Sequence, residues 1–247
     1  MAVKTIRSVH NALVVLEALA TAQPIGVSAL ARTVDLDKTT VQRILLTLGD
    51  GGWIRQLDNG EWTITSKPLQ IGTHYTSGLR EAAHPHLVQL QRETDETVLL
   101  FAREAATMVV LDTVDSSQVL RMTVPIGMVV PIRQGAAFDA FLPDAERSAL
   151  VEVRPAPTRS ALASVRAAGY FVIDEMYPNA IAAGAPVFDR RGAPVATITI
   201  VAPKARVTKV AARKLGEAAA RTAALVTLAT TGSRGSPESS ESSESSV

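Results

Sequence analysis

The 247-residue sequence contains no cysteine. Disulfides, thiolate metal sites and cysteine nucleophiles are therefore excluded, and the absence fits a reducing cytosol. Aromatic residues make up only 4% of the chain, which argues against stacking platforms for single-stranded nucleic acid. Charge of either sign is nearly balanced, 25 Lys+Arg against 24 Asp+Glu for a net +1. A general polyanion binder would be more basic, so any nucleic-acid contact must come from a local arrangement of side chains. No apolar run approaches the roughly 18 residues of a membrane span, and residues 1–10 lack the apolar centre of a signal peptide. The expectation is a soluble, cytoplasmic protein.

Apolar residues, by contrast, are plentiful at 47%, enough for one large core or two small ones. Residues 1–65 carry short helical patterns and a hairpin. Residues 82–232 alternate strand-like runs with helices. Residues 233–247 are Ser/Glu repeats with almost nothing to bury, expected to be a disordered, solubilising end.

In the first zone Ile6, Val9, Leu13, Leu16 and Ala20 recur at spacings of three and four, predicting one apolar stripe on a helix over 5–22. Pro24 and Gly26 end it. Ser28 is placed to cap a helix over 29–34, and Asp37 to cap a third over 38–50. Gly51-Gly52 stops that helix. Two short strands, 53–57 and 61–65, then surround Asp58-Asn59-Gly60, and Asn-Gly between strand-like runs is a strong hairpin signal. Helix, helix, tight turn, helix and hairpin within about 65 residues is the layout of a winged helix-turn-helix.

With Val41, Ile44, Leu45 and Leu48 inward, the opposite face of the third helix shows Lys38, Thr39, Thr40, Gln42 and Arg43. A helix N-terminus also offers free N–H groups and a positive dipole to phosphate. Gln42 can pair with adenine and Arg43 with guanine, while Lys38, Thr39 and Thr40 suit phosphate or edge contacts. Ser28 can add a phosphate contact. Arg55 and Asn59 on the hairpin can touch the backbone or minor groove, although a turn that needs φ > 0 explains Asn59 equally well. A solvated helix face would carry the same residues; the tight turn before it and the hairpin after it favour the nucleic-acid reading. Trp53 and Trp62 read as packing between wing and helices.

These segments resemble the IclR family of bacterial regulators. TIRSVHNALVVLEALA is similar to that family's first helix, and VSALARTVDLDKTTVQRILLTLGDGGWIRQLDNGEWTIT to its helix-turn-helix and wing. SKPLQIGTHY resembles the entry to a linker helix, here residues 66–81. VRAAGYFVIDE and APVFDRRGAPVATITIVAP resemble two stretches of its C-terminal half. The resemblance spans roughly residues 5–230. It implies an α+β chain: an N-terminal winged helix-turn-helix joined by a linker helix to a GAF-like effector-binding domain. It further implies a regulator, repressor or activator, of a catabolic operon, acting as a homodimer or homotetramer. Two-fold pairing on a pseudo-palindromic double-stranded operator suits the physics, because one recognition helix covers only a few base pairs.

In the C-terminal zone the apolar runs 97–102, 108–113, 119–124, 182–188 and 195–202 predict strands. Helices are predicted over 86–93, 136–142, 144–151, 160–168 and 207–230. The resemblance places effector-binding positions at Gly135, Ala136, Ile173, Ala182, Thr199 and Val201. This chain departs from the family there. Gly135-Ala136-Ala137 lacks the usual lysine, Ala182 replaces a common cysteine, and Ile173 and Val201 replace polar groups, while Thr199 keeps a hydroxyl. A pocket so lined would hold a small carboxylate poorly, so the expected effector is apolar or aromatic; the same residues would also serve as plain core. Arg121 and Arg133 are potential anion partners that fit equally well as surface arginines.

No catalytic constellation is evident. The histidines are His10, His74, His84 and His86, and His84-Pro85-His86 lacks a matching carboxylate pattern for a metal. Gly49-Asp50-Gly51-Gly52 follows a helix instead of opening one. There is no G-x-S-x-G elbow, and adjacent Asp174 and Glu175 would diverge on a strand. The expectation is no enzyme, no cofactor and no metal. Two other readings stay open: an enzyme using its winged helix for protein contacts, and an architectural DNA-binding protein.

Overall fold

The computed structural model describes residues 5–72, 74–75, 78–132, 137–148, 158–174 and 179–232. The chain divides into two compact units, Met1–Thr76 and Ser77–Val247.

The first unit contains α1 (Arg7–Ala22), α2 (Val27–Thr33), α3 (Lys38–Asp50), β1 (Ile54–Gln56), β2 (Trp62–Ile64) and α4 (Lys67–Gly72). Its core joins Val15 and Leu19 of α1 to Leu30, Ala31, Val41, Leu45, Ile54 and Trp62. This corrects the expected α1 stripe. Ile6, Val9 and Leu13 are more than half exposed; α1 is apolar on more than one side, so periodicity alone did not choose which side meets the core. Ser28 is also corrected. The helix begins two residues earlier, Gly26 is its N-cap, and the Gly26 carbonyl accepts from the N–H groups of Ala29 and Leu30. Ser28 lies exposed in the first turn. The turn into α3 places Asp35 at φ 51°, and Leu36 N–H donates to Ala31 O at 3.1 Å, closing the short connection.

β1 and β2 pair antiparallel, and Ile25 bridges to Trp62. The side-chain oxygen of Gln23 accepts from Ile64 N–H at 2.8 Å and Thr63 Oγ1 at 2.7 Å, tying the wing to the end of α1. At the wing tip, Gly60 takes the positive φ, 82°. Asn59 does not; its Oδ1 accepts from Glu61 N–H, and its amide donates to Glu61 Oε2. Glycine lacks the Cβ that resists this conformation, so the pair divides the turn between a backbone role and a side-chain role.

The second unit contains α5 (Gly78–Thr94), β3 (Thr97–Glu104), β4 (Thr107–Val114), β5 (Val129–Pro131), a 3-10 turn (Ala137–Phe141), α6 (Asp144–Ser148), α7 (Arg159–Ala168), β6 (Phe171–Ile173), β7 (Ala180–Phe188), β8 (Pro194–Pro203), a second 3-10 turn (Lys204–Arg206) and α8 (Lys209–Gly232). The strands form one antiparallel sheet in the order β5-β4-β3-β8-β7-β6. Strand side chains alternate between faces. One face, with Val98, Leu100, Ile198, Ile200, Ala185 and Val187, packs under α5 and α8. The other carries Leu99, Phe101, Val110, Ala182 and Val201, covered by Phe138 and Leu142 at the first 3-10 turn and by Val124, Val130 and Ile132.

Three sequence expectations change in this unit. Residues 119–124 form no strand. Val119 is 99% exposed, and the carbonyls of Leu120 and Met122 are taken by the side chains of Arg206 at 2.9 Å and Thr97 at 2.6 Å, so no strand partner is needed. The residues that pair with β4 are Val129–Pro131. Phe171–Ile173 is a strand that a three-residue apolar run did not announce. The expected helix at 136–142 is a 3-10 turn. In the 66–81 segment α4 and the first turn of α5 are described. Gly135, Ala136, Arg133, Glu175, the end of the 144–151 helix and the 233–247 tail lie outside the described residues. Among the described residues no helix is long and apolar enough to cross a membrane.

Candidate nucleic-acid interface

Asp37 caps α3, its Oδ1 accepting from Thr40 N–H at 2.8 Å. Hydrogen bonds from the Thr40 hydroxyl and N–H hold the Asp37 carboxyl below its ordinary range. An ionised cap satisfies orphan N–H groups and suits the positive helix end. Val41 and Leu45 are fully buried and Ile44 and Leu48 half-buried, which points the opposite side of the helix outward. Lys38, Thr39 and Arg43 are exposed and Gln42 is half-buried. Their side chains have no hydrogen-bond or ion-pair partner among the described residues. Thr40 differs: it is half-buried and its hydroxyl is committed to Asp37. Arg55 is exposed on β1, while Asn59 is occupied by Glu61 at the wing tip.

Thr40, Arg43, Ile44 and Thr47 also form one wall of a cleft of about 770 Å³. The other wall comes from α1, including Arg7, Val9 and Leu13. The outward face of α3 is thus continuous with the exposed apolar face of α1. Trp53 also lines the cleft, with the Lys67 ammonium 5.5 Å from its ring centroid. Trp62 is buried in the core, so both tryptophans pack the wing.

In the second unit Ile173, Ala182 and Val201 stand side by side across β6, β7 and β8, in a row continued by Thr97 on β3. Thr199 belongs to the neighbouring row, Thr113-Leu99-Thr199-Gly184-Phe171. All lie on the face turned away from α5 and α8. Four of the six expected effector positions are therefore brought together. Ala182, Thr199 and Val201 are each 2% exposed. Gly184 lets the Phe171 ring lie against the strand, since a Cβ there would sit 2.5 Å from Phe171 Cζ. Arg121 is an exposed residue 3.9 Å from Asp115.

The profile of the IclR helix-turn-helix domain matches residues 8–58, and that of the bacterial transcriptional regulator IclR C-terminal domain matches residues 73–227. The chain belongs to the IclR family. Among its relatives, the probable transcriptional regulator SauR of Cupriavidus necator is 31% identical over 215 residues, covering 78% of this chain and 85% of that protein. The transcriptional repressor IclR of Escherichia coli is 27% identical over 244 residues, covering 90% of this chain and 89% of that protein. The fold is shared with the crystal structure of an IclR homologue from Microbacterium hydrocarbonoxydans complexed with 4-hydroxybenzoate, with a TM-score of 0.73 at 17% identity, covering 92% of this chain and all (100%) of that one.

As an IclR-family transcriptional regulator, the chain combines a DNA-binding helix-turn-helix with an effector-binding α+β domain. Sequence reading missed residues in both. Thr47 and Arg7 line the same cleft as Arg43; nothing local in the sequence pairs α1 with α3. Thr113, Thr97 and Thr197 share the sheet face with Thr199 and Val201. The alternation of β8 could have shown Thr197 beside them, because positions two apart face the same way.

Proposed function

We propose that the protein binds operator DNA as a homodimer through Lys38, Thr39, Gln42 and Arg43, with Thr40, Ser28, Arg55 and Asn59 at the margins. An apolar or aromatic effector on the sheet face around Ile173, Ala182, Thr199 and Val201 then switches that binding. The observation that carries this reading is the outward side of α3: polar and basic groups without internal partners at the N-terminal half of a capped helix. A free guanidinium and a free amide there match the donor and acceptor pattern of the major groove. Residues 1–65 act as the DNA module, 66–81 as the linker and 82–232 as the sensor.

The exposed apolar residues of α1 support the dimer. Ile6, Val9 and Leu13 stay more than half exposed in one protomer, and a second copy covering them would bring two α3 helices onto a two-fold operator. The ligand of the Microbacterium relative is an aromatic acid. Its ring suits Leu99, Phe101, Phe138 and Leu142 here. Its carboxylate does not, because Arg103, on the same alternation of β3, is paired with Glu146 at 2.7 Å.

Footprinting the protein on its own upstream DNA, with and without a panel of neutral aromatic and small carboxylate compounds, tests the whole reading. Two protected half-sites that are released or strengthened by a neutral aromatic compound are expected. Sequence-insensitive coverage, or a response to glyoxylate or pyruvate alone, would refute it.

A further inference from the structure

Four threonines stand on the sheet face assigned above to the effector, and three have partners. Thr97 Oγ1 donates to Met122 O at 2.6 Å and accepts from Ser116 N–H at 3.1 Å. Thr197 and Thr199 share a hydrogen bond at 3.1 Å. The fourth, Thr113, has a buried Oγ1 with no hydrogen-bond partner. Its register fixes where it points. Thr113 lies directly opposite Leu99, and Leu99 belongs to the cluster on that face, so directly paired residues put Thr113 on the same side. Leu99 in turn lies opposite Thr199. The Thr113 hydroxyl is therefore two strands from Thr199, about 10 Å at the usual strand spacing, with the apolar Leu99 between.

A buried hydroxyl without a partner destabilises a fold, and valine of the same shape would avoid that cost. The cation on this sheet face is already used: Arg103 is paired with Glu146 at 2.7 Å. An anionic head would find that guanidinium already neutralised.

We infer that Thr113 is a specificity-determining residue whose hydroxyl hydrogen-bonds the single neutral polar group, a hydroxyl or carbonyl, of an otherwise apolar effector. This rests on the effector reading above and adds the chemistry of the ligand's polar end. A site built to hydrogen-bond a substrate group discriminates strongly against analogues that lack it, because the protein partner is then left unpaired.

Isothermal titration of the full chain with p-cresol, toluene and 4-methylbenzoate tests it. In the wild type p-cresol should bind at least about 10-fold more tightly than either of the others. Thr113→Val should reduce the p-cresol preference over toluene to near unity without weakening toluene, and Thr113→Ser, which restores the hydroxyl, should recover it. An unchanged p-cresol-to-toluene ratio in Thr113→Val overturns the role of Thr113. If none of the three probes binds, if 4-methylbenzoate binds best, or if Ala182→Met leaves p-cresol binding intact, the effector reading itself fails. Thermal melts of each variant separate loss of binding from loss of fold.

Discussion

In the N-terminal unit the side chains proposed for function point away from the core; in the C-terminal unit they are part of it. Lys38, Thr39 and Arg43 are exposed on a helix whose buried side is Val41 and Leu45. Ala182, Thr199 and Val201 are almost completely buried, on strands whose other face carries Ile198 and Ile200. Recognition of a large polyanion needs an accessible surface, and recognition of a small apolar molecule needs desolvation. The two units should therefore respond differently to substitution: function and stability separate in the first and are coupled in the second.

The largest effect is expected on the helix-covered face of the sheet. Ile198 is fully buried against α5 and α8, and Ile198→Ala should cost about 2–5 kcal/mol in urea unfolding. A cost under about 1 kcal/mol would mean that this face is not tightly packed core. Gly216→Ala comes next. A Cβ there would sit 2.2 Å from Tyr170 Cδ2, so the ring must move, at about 1–3 kcal/mol. Thermal melts would show it.

Arg43→Ala sharpens the contrast from the other side. Operator binding should weaken by about 1–3 kcal/mol in a titrated gel shift, with the melting temperature unchanged. A matching fall in stability would mean that the outer face of α3 is not free. On the effector face, Thr199→Val leaves the Thr197 hydroxyl without its partner and should cost about 1 kcal/mol, whereas Thr197→Val with Thr199→Val should come nearer to neutral. Comparing single and double variants by denaturation checks this.

The smallest effect is at Asp37. Its carboxyl is depressed below the ordinary value, with the Thr40 hydroxyl as the leading cause and the Thr40 N–H next. A depressed acid stabilises the fold fully above its unfolded value, about 3.9, and that contribution disappears as pH falls through the folded value. Asp37→Ala should therefore lower the melting temperature at neutral pH, and the gap to the wild type should close in acid. A gap that persists in strong acid would assign the effect to something other than the ionised cap.

The N-terminal unit was largely legible because its signals are local. Asp37 three residues before Thr40, the Asn59-Gly60 turn and the spacing of Val41, Leu45 and Leu48 each act within one or two turns of chain. Errors arose where a choice was not local. Ser28 and Gly26 both suit an N-cap, and Gly26 caps the helix directly after Ile25, which is held by its bridge to distant Trp62. The C-terminal unit was legible in its long strands, whose apolar runs exceed any competing pattern. It was not legible at Phe171–Ile173, too short to stand out, or at 119–124, where Val119 and Leu120 face solvent and distant Arg206 and Thr97 take the backbone carbonyls.

Sequence alone determined the order of elements in the N-terminal unit, the cap and polar side of α3, and the family, because these depend on residue type and short-range spacing. Tertiary structure alone decided that Val15 and Leu19 face inward in place of Ile6, Val9 and Leu13. It also decided that Ile173, Ala182 and Val201 stand in one row, and that Thr113 joins Thr199 with its hydroxyl unpaired. Strand order and register are set by packing between segments up to about a hundred residues apart, and residue spacing along the chain carries no record of that pairing.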